Sequence, residues 1–257
     1  MNKFYNWLLI LTLAVTFGCS EDEPKNDDDD LNPTSDAEIL ALFESKFYGA
    51  SDIYIEGNFV VVEATAVPDH KSPYFKGTEW ESTMWINDTR PGFQQAPNNK
   101  ISIINFKFKL PKNPQEASTK TALGTATIGI AINGVPLFNQ YAAGNSPITP
   151  SSQEYLSFDL YGGHPTPTHE YHYHIEPNYV TTEEGKDALI GYLLDGFPVY
   201  GPLEDGQTLT SADLDVYHGH EHATEEYPGG IYHYHITADS PYINGNGYFG
   251  VAGTFSK

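Results

Sequence analysis

The chain has 257 residues, 39% of them apolar, with 18 tyrosines, 23 glycines, one cysteine and a formal net charge of −21. That length suits one large β domain or two small ones, and the aromatic, glycine-rich balance favours β structure over helix. The acidic excess excludes electrostatic attraction to nucleic acid or to anionic lipid surfaces, and a lone cysteine excludes an intramolecular disulfide.

Residues 1–19 read as a targeting segment. Lys3 is followed by an apolar run, Trp7 to Phe17, shorter than the ~20 residues a spanning helix needs. The run ends at Thr16-Phe17-Gly18-Cys19, which resembles a bacterial lipoprotein processing site. That resemblance implies lipidation of Cys19; a plain secretory signal is the alternative. Ser20-Glu21-Asp22-Glu23 resembles the acidic export signal of surface lipoproteins in the Bacteroidetes group. Together they imply a surface-exposed outer-membrane lipoprotein of the cell envelope, held to the membrane through its lipid alone. Residues 20–36 are acidic and almost free of apolar side chains, the composition of a disordered tether. The folded part is then 37–257.

Asp36 to Phe43 is the best helix candidate, with Ser35 or Asp36 as cap and Ile39, Leu42 and Phe43 on one face. Ile53 to Ile55 and Phe59 to Val62 flank a Glu56-Gly57-Asn58 turn and predict a hairpin. Alternation predicts a strand over Ile101 to Leu110. Thr125 to Ile132, closed by Asn133-Gly134, and Leu189 to Leu194, closed by Asp195-Gly196, predict two further strands. The expected fold class is all-β and loop-rich.

Three blocks occur twice in the same order. Ile128-Gly129 with Asn133-Gly134-Val135-Pro136-Leu137-Phe138 matches Ile190-Gly191 with Asp195-Gly196-Phe197-Pro198-Val199-Tyr200. Asp159-Leu160-Tyr161-Gly162-Gly163-His164 matches Asp215-Val216-Tyr217-His218-Gly219-His220. Tyr171-His172-Tyr173-His174-Ile175 matches Tyr232-His233-Tyr234-His235-Ile236. This is an internal duplication, about 128–176 and 190–237, and it predicts one domain of two related halves with pseudo-twofold symmetry.

On a strand, alternate side chains share a face, so His172 and His174 point one way with Cα atoms about 6.6 Å apart, and Tyr171 and Tyr173 point the other. His233 and His235 do the same in the second half. His164 and His220, each after a glycine, are candidate third ligands. Asp159 and Asp215 are candidate ligands, or residues that orient an imidazole. Imidazole donors without thiolates suit Zn²⁺, Cu²⁺, Ni²⁺ or Fe²⁺ rather than Ca²⁺ or Mg²⁺, with Zn or Cu first. Proton competition for ordinary imidazoles predicts that occupancy falls below about pH 6.5. His218 and His222 are an excess of the second half, either enriching its site or solvated on a loop. His70 reads as a surface loop histidine that could otherwise complete the site. No Gly-x-Ser-x-Gly element is present for nucleophilic catalysis.

These blocks resemble the YHYH-domain family of bacterial exported proteins from about Tyr54 onward, most specifically in Asn133 to Pro136, Gly162 to His164, both Tyr-His-Tyr-His runs and Gly191 to Gly201. The resemblance implies domain identity and no particular reaction. Residue chemistry points to a transition-metal-binding module. The alternatives are a metal-dependent hydrolase that activates a metal-bound water, with Glu221, Glu170 or Asp215 as base, and a metal-free carbohydrate-binding or adhesive domain. The expected partners are a metal ion and, for the alternatives, a small molecule or glycan.

Overall fold

The computed structural model describes residues 32–124 and 127–257. The targeting segment, Cys19 and most of the tether lie outside the described residues. Helix α1, Asp36–Lys46, begins at a reciprocal cap: Ser35 Oγ accepts from the Glu38 amide at 3.2 Å, and Glu38 Oε2 accepts from the Ser35 amide at 3.0 Å. Ile39, Phe43 and Phe47, four residues apart, form its buried stripe.

Four strands make a first, antiparallel sheet: β1 (Ala50–Glu56), β2 (Phe59–Ala64), β3 (Phe106–Pro111) and β16 (Thr254–Ser256), paired in the order β1-β2-β3-β16. The β1–β2 hairpin forms as expected, with Gly57 at φ +61° in its turn. The strand expected from Ile101 starts only at Phe106. Upstream, the amides of Ile101, Ser102 and Ile104 donate to Tyr74, His169 and Thr65 respectively. Those are three separate segments, so the extended backbone has no single partner with which to build a ladder.

The duplicated region makes the second sheet. Its first half contributes β4 (Thr127–Ala131), β5 (Pro136–Phe138), the two-residue strands β6 (Tyr141–Ala142) and β7 (Ser146–Pro147), β8 (Gly163–Pro165) and β9 (Tyr171–Tyr173). The second half contributes β10 (Leu189–Leu193), β11 (Pro198–Tyr200), β12 (Leu203–Glu204), β13 (Gln207–Thr208), β14 (Gly219–His222) and β15 (Ile231–His235). β6 with β7 and β12 with β13 form small hairpins of their own. The other eight strands lie in the order β14-β15-β11-β10-β4-β5-β9-β8.

The pairing scheme is the same in both halves. β4 is antiparallel to β5, which is parallel to β9, which is antiparallel to β8. β10 is antiparallel to β11, which is parallel to β15, which is antiparallel to β14. The halves join where β4 and β10 pair antiparallel at the centre. Each Tyr-His-Tyr-His strand is therefore second from an edge and buried on both faces. Phe43 and Phe47 of α1 stack on Tyr192 of β10, at 4.3 and 5.9 Å between ring centroids.

The tyrosine face anchors both strands. Tyr171 donates to Asp159 at 2.8 Å and Tyr232 to Asp215 at 3.0 Å. Tyr234 donates to buried Asp195 at 2.6 Å. Burial raises the Asp195 carboxyl to about 6, against donors from Tyr234 and the Gly250 and Phe197 amides that favour its charge. In the first half Asn133 stands where Asp195 stands in the second, and the polarity reverses. Asn133 Nδ2 donates to Tyr173 Oη at 3.0 Å, and that hydroxyl lies 2.9 Å from His70 Nε2. His70 Nδ1 faces the Lys71 carbonyl, so Nδ1 carries the proton and Nε2 accepts from Tyr173. His70 is thus a buried member of the tyrosine face and not a surface residue.

Candidate metal centres

Register sets the first cluster. His164 on β8 lies directly opposite His172 on β9, and His174 follows two residues on. The three rings turn their Nε2 atoms toward one point: His164 to His172 is 3.1 Å and His172 to His174 is 3.0 Å. Glu154, from the short helix Gln153–Leu156, places Oε1 3.2 Å from His164 Nε2 and 3.7 Å from His174 Nε2.

The second cluster repeats this arrangement. His220 on β14 lies opposite His233 on β15. His220 and His235 Nε2 are 3.2 Å apart, and His233 and His235 Nε2 are 3.0 Å apart. Glu204 Oε1 lies 3.1, 3.4 and 3.5 Å from His220, His233 and His235. In each cluster the four ligand atoms fall within 4.8 Å of one another.

His164 and His220 lie on strands and not on loops, and the glycine before each has a steric cause. A Cβ on Gly163 would lie 2.6 Å from the Tyr171 hydroxyl, and one on Gly219 would lie 2.5 Å from that of Tyr232. The phenol of the Tyr-His-Tyr-His strand occupies the space a side chain would need. The same tyrosine then reaches Asp159 or Asp215, so those carboxylates lie on the tyrosine side of the strand. They are not among the converging ligand atoms. Their oxygens also accept from the Tyr161 and Tyr217 amides, closing the turns before His164 and His220.

The tautomers follow from the far side of each ring. His172 Nδ1 faces the Glu170 carbonyl at 3.0 Å, and His174 Nδ1 faces the Asn139 carbonyl at 2.5 Å. A carbonyl only accepts, so both Nδ1 atoms carry the proton. His164 Nδ1 faces Ser157 Oγ at 2.8 Å, and that hydroxyl donates to the Glu154 carbonyl at 2.6 Å, so it too accepts from the ring. All three Nε2 atoms therefore hold bare lone pairs, and a carboxylate oxygen joins them. In the second cluster His233 and His235 are fixed in the same way by the Ile231 and Gly201 carbonyls, at 2.9 and 2.8 Å.

Burial disfavours a proton on the two rings that each Tyr-His-Tyr-His run supplies. Burial, then the neighbouring imidazoles, pushes His172 well below its ordinary range, and burial, then His164, pushes His174 down to about 3. Burial lowers His233 to about 4 and also lowers His235. The Glu154 carboxyl lies below its usual value through the hydrogen bond that an Nε2–H of His164 would give it, an interaction a bound cation would replace. Burial raises the Glu204 carboxyl, but the surrounding imidazoles outweigh it and hold it low.

Four lone-pair donors turned toward one point at these spacings fit a cation. A tetrahedral Zn²⁺ with bonds of 2.0–2.1 Å has ligand–ligand edges of about 3.3–3.4 Å, within the range seen in both clusters. The Nδ1–H to carbonyl contacts are the supporting interactions that orient metal-bound imidazoles.

The two centres differ in their surroundings. Phe138 stacks on His172 at 3.9 Å and Phe158 on His174 at 5.5 Å. In the second half Tyr200, at the position of Phe138, meets His233 edge-on at 5.1 Å, and its hydroxyl donates to Glu226 while hydrogen-bonded to the Thr224 hydroxyl. His218 is buried on Thr237 and belongs to neither cluster. Half-exposed His222 places Nδ1 3.2 Å from Glu204 Oε1. Glu170 is buried and paired with Lys257, and Glu221 lies on β14 opposite Tyr232, on the face away from His220.

Sequence reading missed Glu154 and Glu204 because they lie outside the duplicated blocks. They come from unlike elements, a helical turn and a hairpin, 10 and 16 residues before His164 and His220. One signal was available: Glu154 is the sole carboxylate between Phe138 and Asp159.

The chain matches the YHYH protein family over residues 107–208 and 203–247, more than half its length. It belongs to that family. Searches of curated proteins and of solved structures find no match. The matched segments cover β4 to β15, and with them all eight side chains of the two clusters.

Proposed function

We propose that this YHYH protein binds two transition-metal ions, one in each His₃Glu cluster, and that Zn²⁺ is the ion each cluster suits first, with Cu²⁺ second. The observation that carries this reading is the convergence of three deprotonated Nε2 atoms on one point, with every Nδ1 of the first cluster committed to an acceptor. Without a cation or a proton at their centre, mutually facing lone pairs and a carboxylate repel one another, and burial of the inner rings disfavours the proton. Four protein ligands complete a tetrahedral sphere and leave no position for a metal-bound water, which favours binding, buffering or presentation of the ion over hydrolysis.

The test is elemental analysis of tag-free protein purified without affinity metal. Two equivalents of one ion are expected. None are expected when His172, His174, His233 and His235 are all replaced by alanine. Less than one equivalent after equilibration with excess Zn²⁺ and Cu²⁺ would reject the reading and turn attention to glycan or adhesive contacts.

The proposal extends to location. Thr16 to Glu23 supports a lipid anchor at Cys19 and display on the outer membrane of the cell envelope. Cys19→Ala should then abolish lipid labelling and release the protein. Membrane retention of that variant after signal cleavage would reject the anchor.

A further inference from the structure

We infer that the second centre is a site of rapid ion exchange with His222 as its outer ligand, while the first holds its ion tightly. This rests on the reading that both clusters bind a transition metal.

A cavity of about 700 Å³ reaches Glu204, His233 and His235 of the second cluster and includes His222 in its wall. No ligand of the first cluster lines it, and there Phe138 and Phe158 lie against the imidazoles instead. A coordinated ion leaves slowly when each bond must break before another forms. It leaves quickly when an incoming donor can attach first. His222 is such a donor. Its Nδ1 shares one carboxylate oxygen, Glu204 Oε1, with the inner three imidazoles, at 3.2 Å against 3.1–3.5 Å. An ion can therefore pass between an outer pair, His222 and Glu204, and the inner His220, His233 and His235 without losing Glu204. His233 and His235 are buried, and because their Nδ1 protons go to the Ile231 and Gly201 carbonyls, each Nε2 is an acceptor.

The cavity suits cations. Glu184, Asp187, Asp205 and Glu225 line it, and its one lysine, Lys46, is neutralised by Glu226 at 2.6 Å. Such a concave acidic wall raises the local concentration of divalent ions. It repels anionic substrates. The ligand class is a hydrated divalent transition-metal ion. In the first half, Thr166 occupies the position that matches His222, so no fourth imidazole is supplied there.

The test is stopped-flow release of Zn²⁺ from the fully loaded protein to a chromophoric chelator. Two phases of equal amplitude are expected, separated at least tenfold in rate. His172→Ala should remove the slow phase and His233→Ala the fast one. His222→Ala should slow the fast phase at least fivefold, whereas His169→Ala, on a loop outside both clusters, should leave both phases as they were. A single phase, a fast phase that belongs to the first cluster, or a fast phase indifferent to His222→Ala would each overturn this inference while two-site binding stands. Fewer than two bound equivalents before mixing would overturn the two-site reading itself.

Discussion

Metal uptake should release few protons, and the count follows from the geometry. An ordinary imidazole, with a pKa near 6.5, is about three-quarters protonated at pH 6, so three such ligands would release about 2.3 protons per ion and two sites about 4.6. In the first cluster His172 lies well below that range and His174 at about 3. At pH 6 both are already neutral, and Glu154 is ionised. The third ring, His164, can add no more than one proton to the count. In the second cluster His233, at about 4, is neutral and burial shifts His235 the same way, and the third ring, His220, can add no more than one proton. The expected total is two protons or fewer per chain. Titration calorimetry of the metal-stripped protein at pH 6, in two buffers of different ionisation enthalpy, counts them directly. Four or more protons per chain would refute the argument that burial holds these rings neutral. The same argument places the expected loss of occupancy below the pH of about 6.5 at which ordinary imidazoles take up protons. Lowered imidazoles compete less for protons, so binding persists further into acid.

Further outcomes are expected. Ser157→Ala removes the acceptor for the His164 ring and should weaken the first site 10–100-fold, the usual range for a supporting partner, while the second keeps its affinity in the same titration. The metal-stripped protein should lose stability in acid: the unfolded chain takes up protons near pH 6.5 whereas the buried rings resist until about 3–4, so stability is full above 6.5 and falls as pH drops below it. Each such imidazole costs roughly 1 kcal/mol at pH 5.5, and denaturant midpoints that do not change between pH 7.5 and 5.5 would contradict this. Tyr234→Phe removes the phenol donor from buried Asp195 and the acceptor from the Phe249 amide, and should destabilise by about 1–3 kcal/mol in denaturant unfolding, with metal stoichiometry as a check that the opposite face is intact.

The sequence alone determined the repeat, the alternation of imidazole and phenol on two strands, and the six histidines of the clusters. Those features are periodic or duplicated, and strand periodicity assigns faces without any knowledge of partners. The structure pairs each Gly-His strand antiparallel with its Tyr-His-Tyr-His strand, so that His164 and His172, or His220 and His233, share a face. Only the tertiary structure decided the fourth ligand. Glu154 and Glu204 arrive from non-equivalent connections, a placement set by how a short helix and a small hairpin fold back over the sheet. It also removed Asp159 and Asp215 from the centres, since the bulk of Tyr171 and Tyr232 directs those carboxylates to the opposite face. Burial, which no residue pattern states, drew His70 into the core and lowered the ligand imidazoles. The asymmetry of the two halves is visible in the sequence as His222 against Thr166, but its meaning depends on a cavity that forms only when distant segments, Lys46, Glu184 and Glu204 among them, are brought together.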